Sequence, residues 1–489
     1  MRGRALFDRH LLLISAGFFL AQAAIAQLSL TVLHSFTGGG DGQQPQAALV
    51  QASNGVLYGT TYMGGTNNAG TIFKVNPDGS GNVPVYHFPR NPFTTSGLSE
   101  PSGLIQGADG ALYGASRRGG ANGQGSIFRI NLNGTGYTDL HVFSSSGGAA
   151  YQPSAALVQG HDGMLYGTTA FGGSNGLGTV FKLATNGAGF VQLRSLGGPA
   201  DAQQPSSPLI QGQDGFLYGA SPAGGSSAVG GASGFGTVFK IGTDGSNEMI
   251  LHSFLPTGND GRYPNAALVQ SPDGTLYGAT SEGGSTTAVD GDGYGTVFKI
   301  NTNGSGYAIL HNFNPAVGGD GKYPWPSLVI GNNGAFYGTC AGGGSGTAPN
   351  ANYGAGVVFK FNPDGSGYTI LYNFGSTSAD GYNPRSPLVR AADGGLFGTT
   401  PFGGAMNGGV LFRLAPSPAV MSLIPATSNN QMQIAVSSAP YFDYRIEAST
   451  DLLHWVVFTN LYNSTGTIQF SDPDALKLRQ RFYRAAWVP

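Results

Sequence analysis

PNAALVQSPDGTLYGATSEGG at residues 264–284 and GTVFKINTNGSGYAILHNF at residues 295–313 form the clearest copy of a unit that recurs seven times in this 489-residue chain. Each copy holds four runs of strand character. Strand A follows a proline (Pro45, Pro101, Pro153, Pro205, Pro264, Pro324, Pro384), and strand B is the LYGT run, with its aromatic at Tyr58, Tyr113, Tyr166, Tyr218, Tyr277, Tyr337 and Phe397. Strand C is GTVFK, with Phe73, Phe128, Phe181, Phe239, Phe298, Phe359 and Phe412, and strand D is the ILHNF type. Dipeptides such as Asp273-Gly274 join A to B, and Asn303-Gly304 and its equivalents join C to D. Asn-Gly and Asp-Gly tolerate the positive φ of compact hairpin turns, so consecutive runs pair antiparallel. The period predicts an all-β, seven-bladed β-propeller of four-stranded blades over residues 27–415.

The D strands supply a second argument for closure. The seventh copy ends at Arg413-Leu414 with no D strand, while a surplus D-type run, Thr31–Phe36, precedes the first. If that run becomes the outer strand of blade 7, the ring closes and two open sheet edges disappear.

Composition agrees. Glycine is abundant at 83 residues and charged residues are only 10%, which suits short strands and tight turns rather than helices. A formal charge of -2 offers no basic field for nucleic acid. The basic MRGRALFDRH, the apolar LLLISAGFFLAQ and Ala24-Ile25-Ala26 predict a signal peptide at residues 1–26. With no later segment apolar enough to span a bilayer, the chain is expected to be secreted or at the cell surface, or else periplasmic, as a monomer. Cys340, the only cysteine, is expected to be a small buried hydrophobe.

Alternation of turn lengths distinguishes the two faces. A–B and C–D turns are short, whereas B–C and D–A loops vary, and binding residues collect on such elaborated loops. From the glycine pair to strand C, copies 1, 2, 3 and 7 have four residues, copies 4 and 5 have ten (Ser226–Phe235, Ser285–Tyr294), and copy 6 has twelve (Gly344–Ala355). Phe235, Tyr294 and Tyr353 near the ends of these loops are candidate stacking residues. Arg117, Arg118 and Glu282, just before their glycine pairs, break the repeat and are candidate ligand contacts. Asp290 and Asp292 could contribute to Ca²⁺ binding. A hard cation wants six to eight oxygens, however, so no metal or other cofactor is expected.

Two recurrent patterns read as structural. Asp41, Asp201, Asp260, Asp320 and Asp380, each four residues before a strand A proline, read as turn formers. His34, His87, His141, His252 and His311 are expected at one D-strand position, with Arg194 and Tyr372 in the remaining copies. Lys74, Arg129, Lys182, Lys240, Lys299, Lys360 and Arg413 end strand C, their stems covering blade edges with the charge in water.

The phrase LYGTT..GG...GTVFK...dGsgY, over about residues 31–414, resembles the Gloeo/Verruco (GloVer) tandem repeat of secreted bacterial proteins. That resemblance carries no catalytic residues with it. After Pro416-Ser417-Pro418 the pattern stops. Five strand-like runs over residues 419–489 predict a small β-sandwich, loosely fibronectin-III-like, similar to C-terminal attachment or sorting modules, with Trp455 in its core.

These features predict a non-catalytic binding or scaffold propeller that takes a glycan, peptide or cell-surface component on its elaborated face. An alternative is an extracellular polysaccharide hydrolase or lyase using Glu282, Glu100 or an Asp as acid or base. A structural surface protein without a small ligand is the third reading.

Overall fold

The structure is a computed structural model that describes residues 29–90, 92, 99–198, 200–226, 234–256, 259–284, 293–316, 319–325, 327–331, 333–346, 354–377, 379–391, 395–415, 420–424, 432–437, 442–463, 466–478 and 480–488. Tyr353, Asp290 and Asp292 lie outside these residues.

Seven four-stranded antiparallel sheets, one per repeat, form a β-propeller, and no α-helix occurs among the described residues. In blade 5 the strands are Val269–Gln270, Leu276–Thr280, Thr296–Ile300 and Ala308–Asn312. Ser29–Ser35 pairs antiparallel with Val410–Ala415 and completes blade 7. Segments following all seven strand A prolines line one cavity of about 280 Å³, the axial channel. Strand A is shorter than its pattern implies. Only two residues pair with strand B in six blades, and the residues before them line the channel; in blade 2 Pro101 also pairs, with Ser116, while Ser102 and Gly103 leave the ladder and line the channel.

The signature residues explain one another. A Cβ on Gly278 would lie 2.5 Å from the Phe298 ring and 2.9 Å from Leu268, so glycine in strand B lets strands A and C close over it. Tyr277 is buried beside it, and its hydroxyl donates to the Pro363 carbonyl of the next blade (3.2 Å). The threonines of LYGTT and GTVFK meet inside the sheet, as Thr169 and Thr179 do at 2.8 Å. Cys340 is fully buried, and burial raises its thiol pKa.

The Asp and His patterns turn out to be one device. His252 Nε2 lies 3.1 Å from the Asp260 carboxylate, and His311 and Asp320 repeat the pair at 3.0 Å. The Tyr307 ring of the next blade stacks on His252 at 3.7 Å, and its hydroxyl donates to Asp260 (2.6 Å). Burial alone would raise Asp260, but hydrogen bonds from His252 and Tyr307 hold its pKa below the ordinary value. These aspartates therefore latch neighbouring blades as well as shaping a turn.

The expected histidine register needs one correction. A bulge in each C–D ladder places Tyr86, not His87, opposite Ile72, where the other blades carry His141 or His311. Tyr86 stacks on Tyr137 at 4.3 Å, while the His87 ring accepts from the Thr66 N–H (3.3 Å). The basic residues ending strand C are not uniformly wet either. Lys360 is buried, and Lys182 Nζ donates to the Thr243 carbonyl of the next blade (3.0 Å).

Among the described residues the C-terminal segment has six strands rather than five, in two three-stranded sheets. Val420–Ile424 is the additional strand. Trp455 is not in the core: it lies half-buried before Val456–Asn463, with Arg484 over its ring at 4.4 Å and its Nε1–H donating to the Leu452 carbonyl (3.1 Å).

Candidate ligand-binding cleft

The mouth of the channel is built by pairing the D–A loop with the glycine pair of the B–C loop. Gly321–Lys322 pairs with Gly342–Gly343, and Gly261–Arg262 with Glu282–Gly283. A Cβ on Gly283 would lie 2.4 Å from the Asp260 carbonyl, so glycine there permits the two backbones to touch. In blade 6 the Gly344 N–H donates to the Asp320 carbonyl (3.1 Å), as Gly284 does to Asp260 (2.8 Å). Gly344 thus belongs to the pair rather than to the insert. Ala355, not Tyr353, takes the register of Phe235 and Tyr294, since Asn383 N–H bonds its carbonyl (2.7 Å).

The residue before every strand A proline has positive φ: Gln44 (55°), Glu100 (51°), Gln152 (58°), Gln204 (52°), Tyr263 (56°), Tyr323 (58°) and Asn383 (60°). For a residue with a Cβ this conformation costs about 1–2 kcal/mol. Hydrogen bonds impose it. Tyr323 N–H donates to the Tyr294 carbonyl of the preceding blade (2.9 Å), and its own carbonyl accepts from Ala341 N–H (3.1 Å). Tyr263 is held in the same way between Phe235 and Ser281.

In blades 5–7 these positions open onto a cleft of about 700 Å³. Tyr263, Tyr323, Trp325, Tyr382 and Phe402 supply its rings, and Asn265, Ser281, Glu282, Asn383 and Arg385 its polar groups. Among the described residues, no Leu, Ile, Val or Met lines it. Asn265, Trp325 and Arg385 also line the channel, so the cleft runs into the axial cavity. Tyr382 stacks on Phe402 at 5.4 Å, and the Arg385 guanidinium lies 4.4 Å from the centre of the Trp325 ring. Arg385 Nε–H donates to the Asn383 side-chain carbonyl, and burial lowers its pKa.

Across the channel mouth, Glu100 is 8% exposed and held by two guanidiniums, Arg118 at 3.1 Å and Arg117 at 3.7 Å. Tyr62 lies against this group, its pKa raised by burial and by the Glu100 charge.

The candidate residues are distributed around this site. Glu282 lines the cleft, Arg117 lines the channel, and Arg118 supports Glu100 from beside it. Phe235 and Tyr294 pack partly buried against the blade cores, behind the tyrosines that line the cleft. Phe235 is 5.9 Å from Tyr263, and Tyr294 is 6.4 Å from Tyr323. Sequence reasoning did not single out Tyr263, Tyr323, Trp325 and Arg385. Their signal lies in the residues flanking the strand A proline, where Gln-Pro-Ser in copies 3 and 4 becomes Tyr-Pro-Trp in copy 6 and Asn-Pro-Arg in copy 7.

The propeller and its repeat define a tandem-repeat β-propeller protein. The chain belongs to the Gloeobacter/Verrucomicrobia repeat family, which matches residues 20–152, 90–290 and 284–474. A search among curated proteins finds no match. Among solved structures, a fungal alcohol oxidase of the AA5 family, in complex with copper, is similar with a TM-score of 0.50 and 11% identity, over 95% of this chain and 93% of that one. An ulvan lyase of polysaccharide lyase family PL25, bound to -[GlcA(1-4)Rha3S]-, gives 0.47 and 12%, over 82% and 92%. The extracellular domain described for a one component system from B. thetaiotaomicron gives 0.46 and 11%, over 91% of this chain and 54% of that one. This chain therefore spans about half the length of that last relative. At such identities the likeness concerns the fold alone.

Proposed function

We propose that this propeller is a secreted, non-catalytic glycan-binding protein whose ligand occupies the cleft over blades 4–7. The observation that carries this reading is the lining of the cleft. Five aromatic rings alternate with amide, hydroxyl, carboxylate and guanidinium groups, and among the described residues no aliphatic side chain larger than proline lines it. Sugar rings present apolar C–H faces and a hydroxyl edge, which such a wall matches on both counts. Among the described residues, an apolar peptide side chain would find no Leu, Ile, Val or Met to pack against. The volume of about 700 Å³ falls in the range of small-ligand pockets. In this reading residues 1–26 direct export, and residues 419–489 form an attachment or capping module.

The test is a binding screen of extracellular polysaccharides on the mature chain, wild type against Tyr323→Ala and Trp325→Ala. Binding lost in both variants at unchanged melting temperature supports the reading, and binding indifferent to both removes it. Because Glu282 lines the cleft, a polysaccharide-cleaving activity is the second reading. Product release abolished by Glu282→Gln would favour it.

A further inference from the structure

We infer that the cleft selects an anionic sugar, a uronate or sulfated residue whose charged group meets Arg385 where the cleft enters the channel. This rests on the glycan-binding reading and adds the chemical class of the ligand. Arg385 is the reason. Its guanidinium stacks on Trp325 and its Nε–H is taken by Asn383, yet among the described residues no carboxylate pairs with it. A part-buried cation loses hydration that only an anion or several acceptors replace. The other mouth guanidiniums differ, since Arg117 and Arg118 both reach Glu100.

The arrangement also gives the sugar its orientation. Trp325 lies under the Arg385 guanidinium and beside Tyr323 in sequence register, so a ring stacked on the aromatic wall can bring a substituent to the remaining N–H donors of the fork. An arginine fork matches a carboxylate or sulfate with two parallel hydrogen bonds.

The experiment compares charged and uncharged forms of two probes. Alginate is set against its carboxyl-reduced form, carrageenan against its desulfated form, and laminarin serves as the neutral glycan. Wild type should bind at least one charged probe roughly ten- to a hundredfold more tightly than its uncharged form, as expected for hydrogen bonds to a charged group. Which pair shows the difference distinguishes carboxylate from sulfate. Arg385→Gln should erase that preference while leaving residual binding that still depends on Trp325, and Arg385→Lys should retain part of it. Equal binding of charged and uncharged forms, lost in Trp325→Ala, overturns the anion inference and leaves the glycan reading standing. A charge preference unaltered in a folded Arg385→Gln also overturns it. Absence of any binding sensitive to Tyr323 or Trp325 overturns both.

Discussion

Arg194 of blade 3 forms an ion pair with Glu248 of blade 4 at the position where His252 and Tyr307 stack between the next two blades. Each partner has been exchanged: Arg194 stands in the histidine register opposite Val180, and Glu248 replaces the tyrosine of Gly-Ser-Gly-Tyr. Asp201 completes the group, 3.7 Å from Arg194, as Asp260 does for His252. Two chemistries thus close the same seam. Arg194→His leaves the part-buried Glu248 without its cation and should cost about 1–3 kcal/mol, whereas Glu248→Tyr leaves an exposed Arg194 still beside Asp201 and should cost less. The double variant should rebuild the stack and recover most of that loss in a double-mutant cycle by urea unfolding. Additive losses would show that the pair does not act as a unit.

The same cluster predicts a pH dependence. Burial, then the Asp201 carboxylate, push Glu248 up to about 7 against the pull of Arg194. The folded chain therefore holds a proton that the unfolded chain releases above its ordinary value of 4.5. This contribution is complete below that value and is lost as pH rises through about 7. Asp41, Asp260 and Asp320 act oppositely: their folded pKa values are depressed, so their contribution is lost as pH falls through the acid range. Urea midpoints of wild type should decline between about pH 5 and 7.5, and Glu248→Gln should flatten that slope. An identical slope in both proteins would refute the assignment.

Glycine in strand B is required by packing rather than by backbone conformation. Gly278→Ala would set a methyl 2.5 Å from the Phe298 ring, whereas Gly274→Ala in the A–B turn meets no atom within 4 Å and only strains a φ of +90°. The first should cost about 1–3 kcal/mol or more through overpacking, and the second about 1 kcal/mol. Thermal melts of the two variants decide, and the reverse order would contradict this account of the signature.

Ring closure can be tested at Phe36, which follows the closing strand. Phe36 is fully buried, edge-on to Phe73 of blade 1 at 5.1 Å, as Phe313 is to Phe359 within the ring at 5.3 Å. Phe36→Ala and Phe313→Ala should each cost about 3–5 kcal/mol. A cost under about 1 kcal/mol for Phe36→Ala alone would mean that the N-terminal strand does not close the ring.

The fold was legible because its determinants are local and recur. Asp-Gly turns, the strand B glycine facing the strand C phenylalanine, and the unpaired Thr31–Phe36 run each declare a pairing within one copy or one missing strand. The blade-to-blade latch was not legible, since His252, Asp260 and Tyr307 become partners only once adjacent blades are packed. The one-residue slip at His87 was legible, for Phe88 follows it directly whereas one residue separates His141 from Phe143 and His311 from Phe313. The cleft was visible only in outline. Irregular loops drew attention to Phe235 and Tyr294, whereas the rings lining the cleft are Tyr263 and Tyr323, set by a left-handed backbone that other blades build with glutamine.

Trp325 is the only tryptophan in residues 27–415, so with Trp455→Phe and Trp487→Phe its fluorescence reports on the cleft alone. Titrating that variant with the polysaccharides of the screen tests the central claim most directly. A saturable change in Trp325 emission with at least one glycan, abolished by Tyr323→Ala, is the predicted result. Retention of a glycan with no change in Trp325 emission would place binding elsewhere and contradict the account.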